Sequence, residues 1–109
     1  MSGKEYLQQV KKIDTQLKNK SFEIKRLKEL GMNIGRVLDD MVTLDNERAQ
    51  IIKTIEKLPE AEYDVLFKVY VQYETLQEVA ADRKISYSLV ATIHGRALKR
   101  LENIINENP

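Results

Sequence analysis

From Tyr6 onward, apolar residues return at Val10, Ile13 and Leu17, skip at Lys20, and resume at Ile24 and Leu27. Alternating steps of four and three lay these side chains along one stripe of an α-helix, with Gln, Lys, Asn and Glu around it. The stripe restarts as Leu30, Ile34, Val37, Met41 and Leu44, skips at Arg48, and runs on through Ile51, Ile55 and Leu58, displaced by one position from the first run. Gly31 and Gly35 lie at the displacement. Glycine is poor inside a helix and common just past a helix end, so the spacing predicts two helices, over residues 4–30 and 36–57.

Neither narrow stripe sustains a helix alone in water. Two arrangements would cover them: an antiparallel hairpin, or one long helix paired with a second chain. A single hairpin leaves much of each seam half covered, so dimerisation through this arm is expected. The polar seam positions Lys20 and Arg48 suit either arrangement.

After Leu58 the pattern changes. Pro59 followed by Glu60 and Glu62 reads as a helix start, because proline is tolerated in the first turn and carboxylates complement the positive end of the helix dipole. Val65, Leu66, Val69 and Tyr70 then make a wide apolar face. Thr75, with Glu78 three residues on, predicts a capping box for a second helix whose inner positions are Leu76, Val79 and Ala80. Ile85 precedes Ser86, a good cap for a third helix.

This is the pattern of a helix-turn-helix: Ala80 permits close approach, Ile85 plugs the turn, and Val90, Ile93, Ala97, Leu98 and Leu101 form the buried face of helix three. Tyr87, Ser88, Ala91, Thr92 and Gly95 are left on its exposed side. The fold expected is all-α: a helical hairpin or coiled-coil arm over residues 1–58, then a three-helix, helix-turn-helix domain over 59–109.

Composition narrows the chemistry. In 109 residues there are no cysteines and one histidine, which excludes thiolate zinc sites and a cysteine nucleophile and leaves little for acid–base work. No GxSxG, P-loop or GxGxxG motif is present, and the four glycines are too scattered to cradle a phosphate. The expectation is a binding protein, not an enzyme, that needs no metal or cofactor. The opening MSGKEYLQQVKK has no apolar core of the kind a signal peptide carries, and no stretch approaches the eighteen or so apolar residues of a membrane span, which leads us to expect a cytoplasmic protein.

Eighteen Lys and Arg against seventeen Asp and Glu give a net charge of only +1, but the charges are segregated. Residues 59–82 hold one basic and six acidic groups, whereas Arg83, Lys84, Arg96, Lys99 and Arg100 follow with no carboxylate among them. In a DNA-binding use of this motif, the early positions of helix three face base edges and surrounding cations hold phosphates.

The run LPEAEYDVLFKVYVQYETLQEVAADRKISYSLVATIHGRALKRLENI resembles region 4 of bacterial sigma factors, in its opening Leu-Pro with acidic residues, its Thr-Leu-x-Glu-Val-Ala and its Arg-Ala-Leu-Lys-Arg-Leu ending. With the KEYLQQVKKID start and the arm, the whole chain looks like a family of small sigma-like transcriptional regulators from phages of Gram-positive bacteria. The resemblance implies binding of promoter-like duplex DNA, with RNA polymerase as a further partner. Carried onto this chain, it puts base-facing positions at Tyr87, Ser88, Ala91 and Thr92 beside the cap Ser86, and phosphate contacts at Arg83, Lys84, Arg96, Lys99 and Arg100. Lys84 stands where the family usually has glycine before the apolar turn residue, so the backbone there either adopts the turn without glycine's freedom or turns differently.

The alternative reading keeps the fold as an adaptor that grips RNA polymerase or another protein without reading DNA. Among single residues, His94 reads as a bystander, Tyr87 serves either DNA or local packing, and Tyr63, Phe67, Tyr70 and Tyr73 read as core packing around Val65, Leu66 and Val69. Asp39 and Asp40 diverge around a helix and read as solvated surface.

Overall fold

The structure is a computed structural model that describes residues 1–107 as five α-helices: α1 (Gly3–Glu29), α2 (Gly35–Ile55), α3 (Glu60–Tyr70), α4 (Leu76–Arg83) and α5 (Tyr87–Glu107). Among the described residues there is no strand, and no helix is long and apolar enough to cross a membrane.

The break at residue 30 is a reversal of the chain. Gly31 takes the left-handed conformation (φ 66°), Met32 N–H donates to the Leu27 carbonyl at 2.8 Å and Gly31 N–H to that of Lys28 at 3.1 Å. Those two bonds satisfy carbonyls that the end of α1 would otherwise leave bare. Three side-chain pairs then join α1 to α2: Tyr6 Oη donates to Thr54 Oγ1 (3.0 Å), Arg48 Nε to Asp14 Oδ1 (2.7 Å), and Lys20 Nζ to Asp40 Oδ2 (3.3 Å). Ascending numbers on one helix meet descending numbers on the other, so the hairpin is antiparallel. Both polar positions in the apolar seam are thereby accounted for, and Asp40 is a pairing residue and not simply solvated surface.

The main core draws on both sides of residue 58. Leu7, Val10 and Ile13 of α1 and Ile51 and Ile55 of α2 pack with Leu58, with Leu66 of α3, with Val71 just after it, and with Ala97 and Leu101 of α5. Full burial of a Leu or Val side chain contributes about 1.5–3 kcal/mol, so the base of the hairpin is a structural partner of the last three helices. The fit is close at Gly3, where a Cβ would meet the Leu98 carbonyl oxygen at 2.6 Å. The hairpin tip is packed more thinly, and Leu38 and Val42 stay exposed on one flank of α2.

A second, smaller core belongs to the helix-turn-helix alone: Val65, Val79, Ala80 and Val90, with Val69, Leu76, Ile85 and Ile93 against it. The Thr75–Glu78 capping box forms as the sequence predicts, with both reciprocal bonds at 3.1 Å.

Of the aromatic series, Tyr63, Phe67 and Tyr70 pack on the main core. Tyr73 does not. It lies past the end of α3 with φ 60°, half exposed, and its hydroxyl donates to Asp14 of the hairpin.

Candidate nucleic-acid interface

The turn between α4 and α5 sets the geometry of the site. Lys84 adopts the left-handed conformation (φ 56°, ψ 43°) that glycine takes without penalty, and its side chain is exposed. Ile85 N–H donates to the Ala80 carbonyl at 3.1 Å, which closes α4 and turns the Ile85 side chain onto the small core. Ser86 Oγ accepts from Leu89 N–H at 3.1 Å and so caps α5. Its hydroxyl proton remains available to a ligand.

Ser86, Tyr87, Ser88 and Thr92 are exposed on the first turns of α5, and Ala91 is half-buried beside them. Thr92 Oγ1 donates to the Ser88 carbonyl at 3.0 Å, which turns that hydroxyl into an acceptor toward solvent. Val90, Ala97 and Leu101 face inward, while Ile93 and Leu98 are only partly covered. Apart from Tyr87, this face carries short side chains and methyl groups. It has no long amide or guanidinium to read base edges.

The five cations of this segment divide into two groups. Arg83 Nη1 donates to Asp64 Oδ2 at 2.6 Å, and Asp64 also takes Lys68 at 3.4 Å. Arg100 Nε donates to Glu62 Oε1 at 2.8 Å, and Glu62 is 6% exposed. Arg83 and Arg100 thus clamp α4 and α5 to α3, a constraint the phosphate assignment from sequence did not include. Lys84, Arg96 and Lys99 are exposed and, among the described residues, form no ion pair. Arg96, Lys99, Arg100 and Asn103 line one shallow depression on α5.

Sequence reading gives Glu62 a role only at the start of its helix and gives Asp64 none, although both belong to the acidic block of residues 59–82. Charge segregation was the available signal; which carboxylate meets which arginine depends on how α3 crosses α4 and α5.

His94 is more embedded than its sequence context suggests. Its ring stacks on Tyr70 at 5.8 Å between centroids, with 3.0 Å between Nε2 and the Tyr70 hydroxyl. Burial first, and the positive charge of Lys4 second, hold its pKa below the ordinary histidine value.

Residues 54–103 match the sequence family described as Sigma-70, region 4. Over 63 residues the chain is 36% identical to the RNA polymerase sigma factor FliA of Yersinia enterocolitica, an alignment that covers 58% of this chain and 27% of that protein. The chain thus aligns with about a quarter of that relative's length. No solved structure matches it.

Proposed function

We propose, from the premise that residues 54–103 are a sigma-region-4-like helix-turn-helix, that the protein is a cytoplasmic transcriptional regulator of phage or prophage type that binds promoter-like duplex DNA. The start of α5 is the reader. Ser86, Tyr87, Ser88, Ala91 and Thr92 face the major groove, where hydroxyls serve as donors or acceptors and methyl groups meet thymine. Lys84, Arg96 and Lys99 hold phosphates. Arg83 and Arg100 orient the reader from behind, since their guanidinium groups are engaged by Asp64 and Glu62. No step requires a cofactor, and the protein is not an enzyme.

The observation that carries this reading is the pairing of an exposed surface of hydroxyls, a methyl group and Tyr87 with three cations that, among the described residues, form no ion pair. Such a surface gains affinity by displacing counterions from the phosphate backbone, so retention on duplex DNA should weaken steeply with salt. The test is fluorescence anisotropy with labelled duplex across a salt series. Arg96→Glu with Lys99→Glu should abolish binding while the circular dichroism stays helical. Full retention by that variant would remove α5 as the interface.

The adaptor reading is favoured by one observation, the internal use of two of the five cations. Co-purification with RNA polymerase that persists at high salt, without retention on DNA, would establish it.

The arm supports a second copy. Leu38 and Val42 flank an apolar groove with Leu17 and Met41, and the hairpin leaves it open. A dimer through that flank would put two readers on one site and offset the modest charge of each. Sedimentation should show a dimer that Val42→Glu dissociates without loss of helix; a monomeric wild type at tens of micromolar would reject it.

A further inference from the structure

Lys4, Lys11, Lys18 and Lys25 follow one another at intervals of seven residues. Seven residues fall just short of two helical turns, so successive members drift by only about 20° and share one flank of α1. They are spaced about 10 Å apart along roughly 32 Å of helix. All four are exposed, and among the described residues none forms an ion pair.

The carboxylates of α1 do not offset them. Glu5 is held in the capping box at Ser2, Asp14 accepts from both Arg48 and Tyr73, and Glu23 lies 3.7 Å from Lys20. Glu29 lies one turn beyond Lys25 and, among the described residues, forms no ion pair with it.

The amino-terminal end of this flank meets α5 beyond the reader. Gly3 packs on the Leu98 carbonyl of α5, so Lys4 emerges beside that helix, close enough for its charge to act on His94. Further out, Lys11, Asp14, Thr15, Lys18 and Tyr73 line one shallow depression, in which the Asp14 carboxylate is engaged by Arg48 and Tyr73. Tyr73 is set there by a left-handed backbone that a non-glycine residue seldom adopts, and such local strain concentrates at functional sites.

We propose that the Lys4–Lys11–Lys18–Lys25 flank of α1 is a second DNA-contacting surface, which takes the phosphate backbone beside the segment read by α5. This rests on the DNA-binding reading above and extends it from one helix to two elements. A linear, single-sign row of ammonium groups suits a polyanion of regular charge spacing. Lysine meets phosphate as a point charge with rotatable donors, which suits a backbone grip that reads no sequence. The stripe spans about 9 base pairs at 3.4 Å each.

The experiment compares two fluorescein-labelled duplexes of mixed sequence, 15 and 40 base pairs long, across a salt series. Lys11→Gln, Lys18→Gln and Lys25→Gln are combined in one variant, and the corresponding triple Lys→Arg variant keeps the charge. On the long duplex the Gln variant should bind at least about ten-fold more weakly at low salt, with a salt slope shallower by about 2.7 for three lost phosphate contacts. The Arg variant should bind like wild type, and the short duplex should distinguish the variants far less.

Unchanged binding of the long duplex by the Gln variant, where Arg96→Glu with Lys99→Glu abolishes it, would overturn the α1 surface and leave the reader standing. Loss of RNA polymerase co-purification with DNA binding intact would reassign the stripe to a protein partner. Failure of the wild type to hold either duplex would remove both proposals together.

Discussion

Lys84 performs two tasks that conflict. Its ammonium stands free at the edge of the proposed interface, while its backbone occupies the left-handed region that costs an L-residue with a Cβ roughly 1–2 kcal/mol. Lys84→Gly should therefore raise stability by about 0.5–1 kcal/mol, read from the urea midpoint, and weaken DNA retention at low salt through the lost charge. Destabilisation would mean that the lysine stem makes packing contacts that outweigh the strain.

His94 gives the molecule a pH dependence with a definite sign. Its folded pKa is depressed, chiefly by burial and then by Lys4. The unfolded chain binds the proton more readily, so the stability this group confers is complete above the unfolded value of about 6.5. It is lost as the pH falls from there through the lower folded value. Urea midpoints should therefore decline between pH 7.5 and 5.5, and His94→Asn should flatten that decline; an equal slope in the variant would exclude His94 as its source. Tyr73, pushed up to about 12 by desolvation and then by its bond to Asp14, stays protonated throughout this range.

At the scale of elements, the last three helices are tied together by charge as well as by apolar contact. Glu62 is buried, so removing its partner strands a carboxylate in a site where water reaches it poorly. Arg100→Ala should destabilise the fold by about 1–3 kcal/mol, less than for a fully enclosed pair because Arg100 itself is 50% exposed. A variant with unchanged stability but weakened DNA binding would return Arg100 to the phosphate contacts. The hairpin is organised in a similar way: Lys20 and Arg48 interrupt its apolar seams at the points where Asp40 and Asp14 face them across the helix pair.

These elements were largely legible in the chain. The 4-3 spacing placed α1 and α2 within two residues at each end, because a helix buried on one side repeats its apolar residues at the helical period. Thr75–Glu78 and Ser86 marked the starts of α4 and α5, because capping is local chemistry among residues three apart. Tyr73 departs from the core expected of it for a matching reason: helical spacing does not extend past Tyr70, where α3 ends, and Tyr73 itself is left-handed.

The whole molecule measures 54 × 36 × 19 Å, long because the hairpin projects from the helix-turn-helix. Arm and reader are nevertheless not separable in their packing. α5 uses its first turns for the exposed site and its later residues, Ala97 and Leu101, for a core shared with Leu7, Val10 and Ile55. A fragment of residues 59–109 alone should therefore unfold without a cooperative transition, or at a much lower urea midpoint than the full chain. Cooperative unfolding of that fragment near the full-length midpoint would show that the small core of Val65, Val79, Ala80 and Val90 suffices.

The sequence alone determined that the chain is helical, where the helices begin, which faces are apolar, and that positive charge gathers around α5. Each of these follows from neighbours within about a turn or two along the chain. Only the tertiary structure decided that the arm folds back as a hairpin, that its base completes the core beneath α5, and that Arg83 and Arg100 pair with Asp64 and Glu62. Those outcomes depend on which surfaces meet across tens of residues, where competing packings share one periodicity and are separated only by side-chain fit and by which charges can pair.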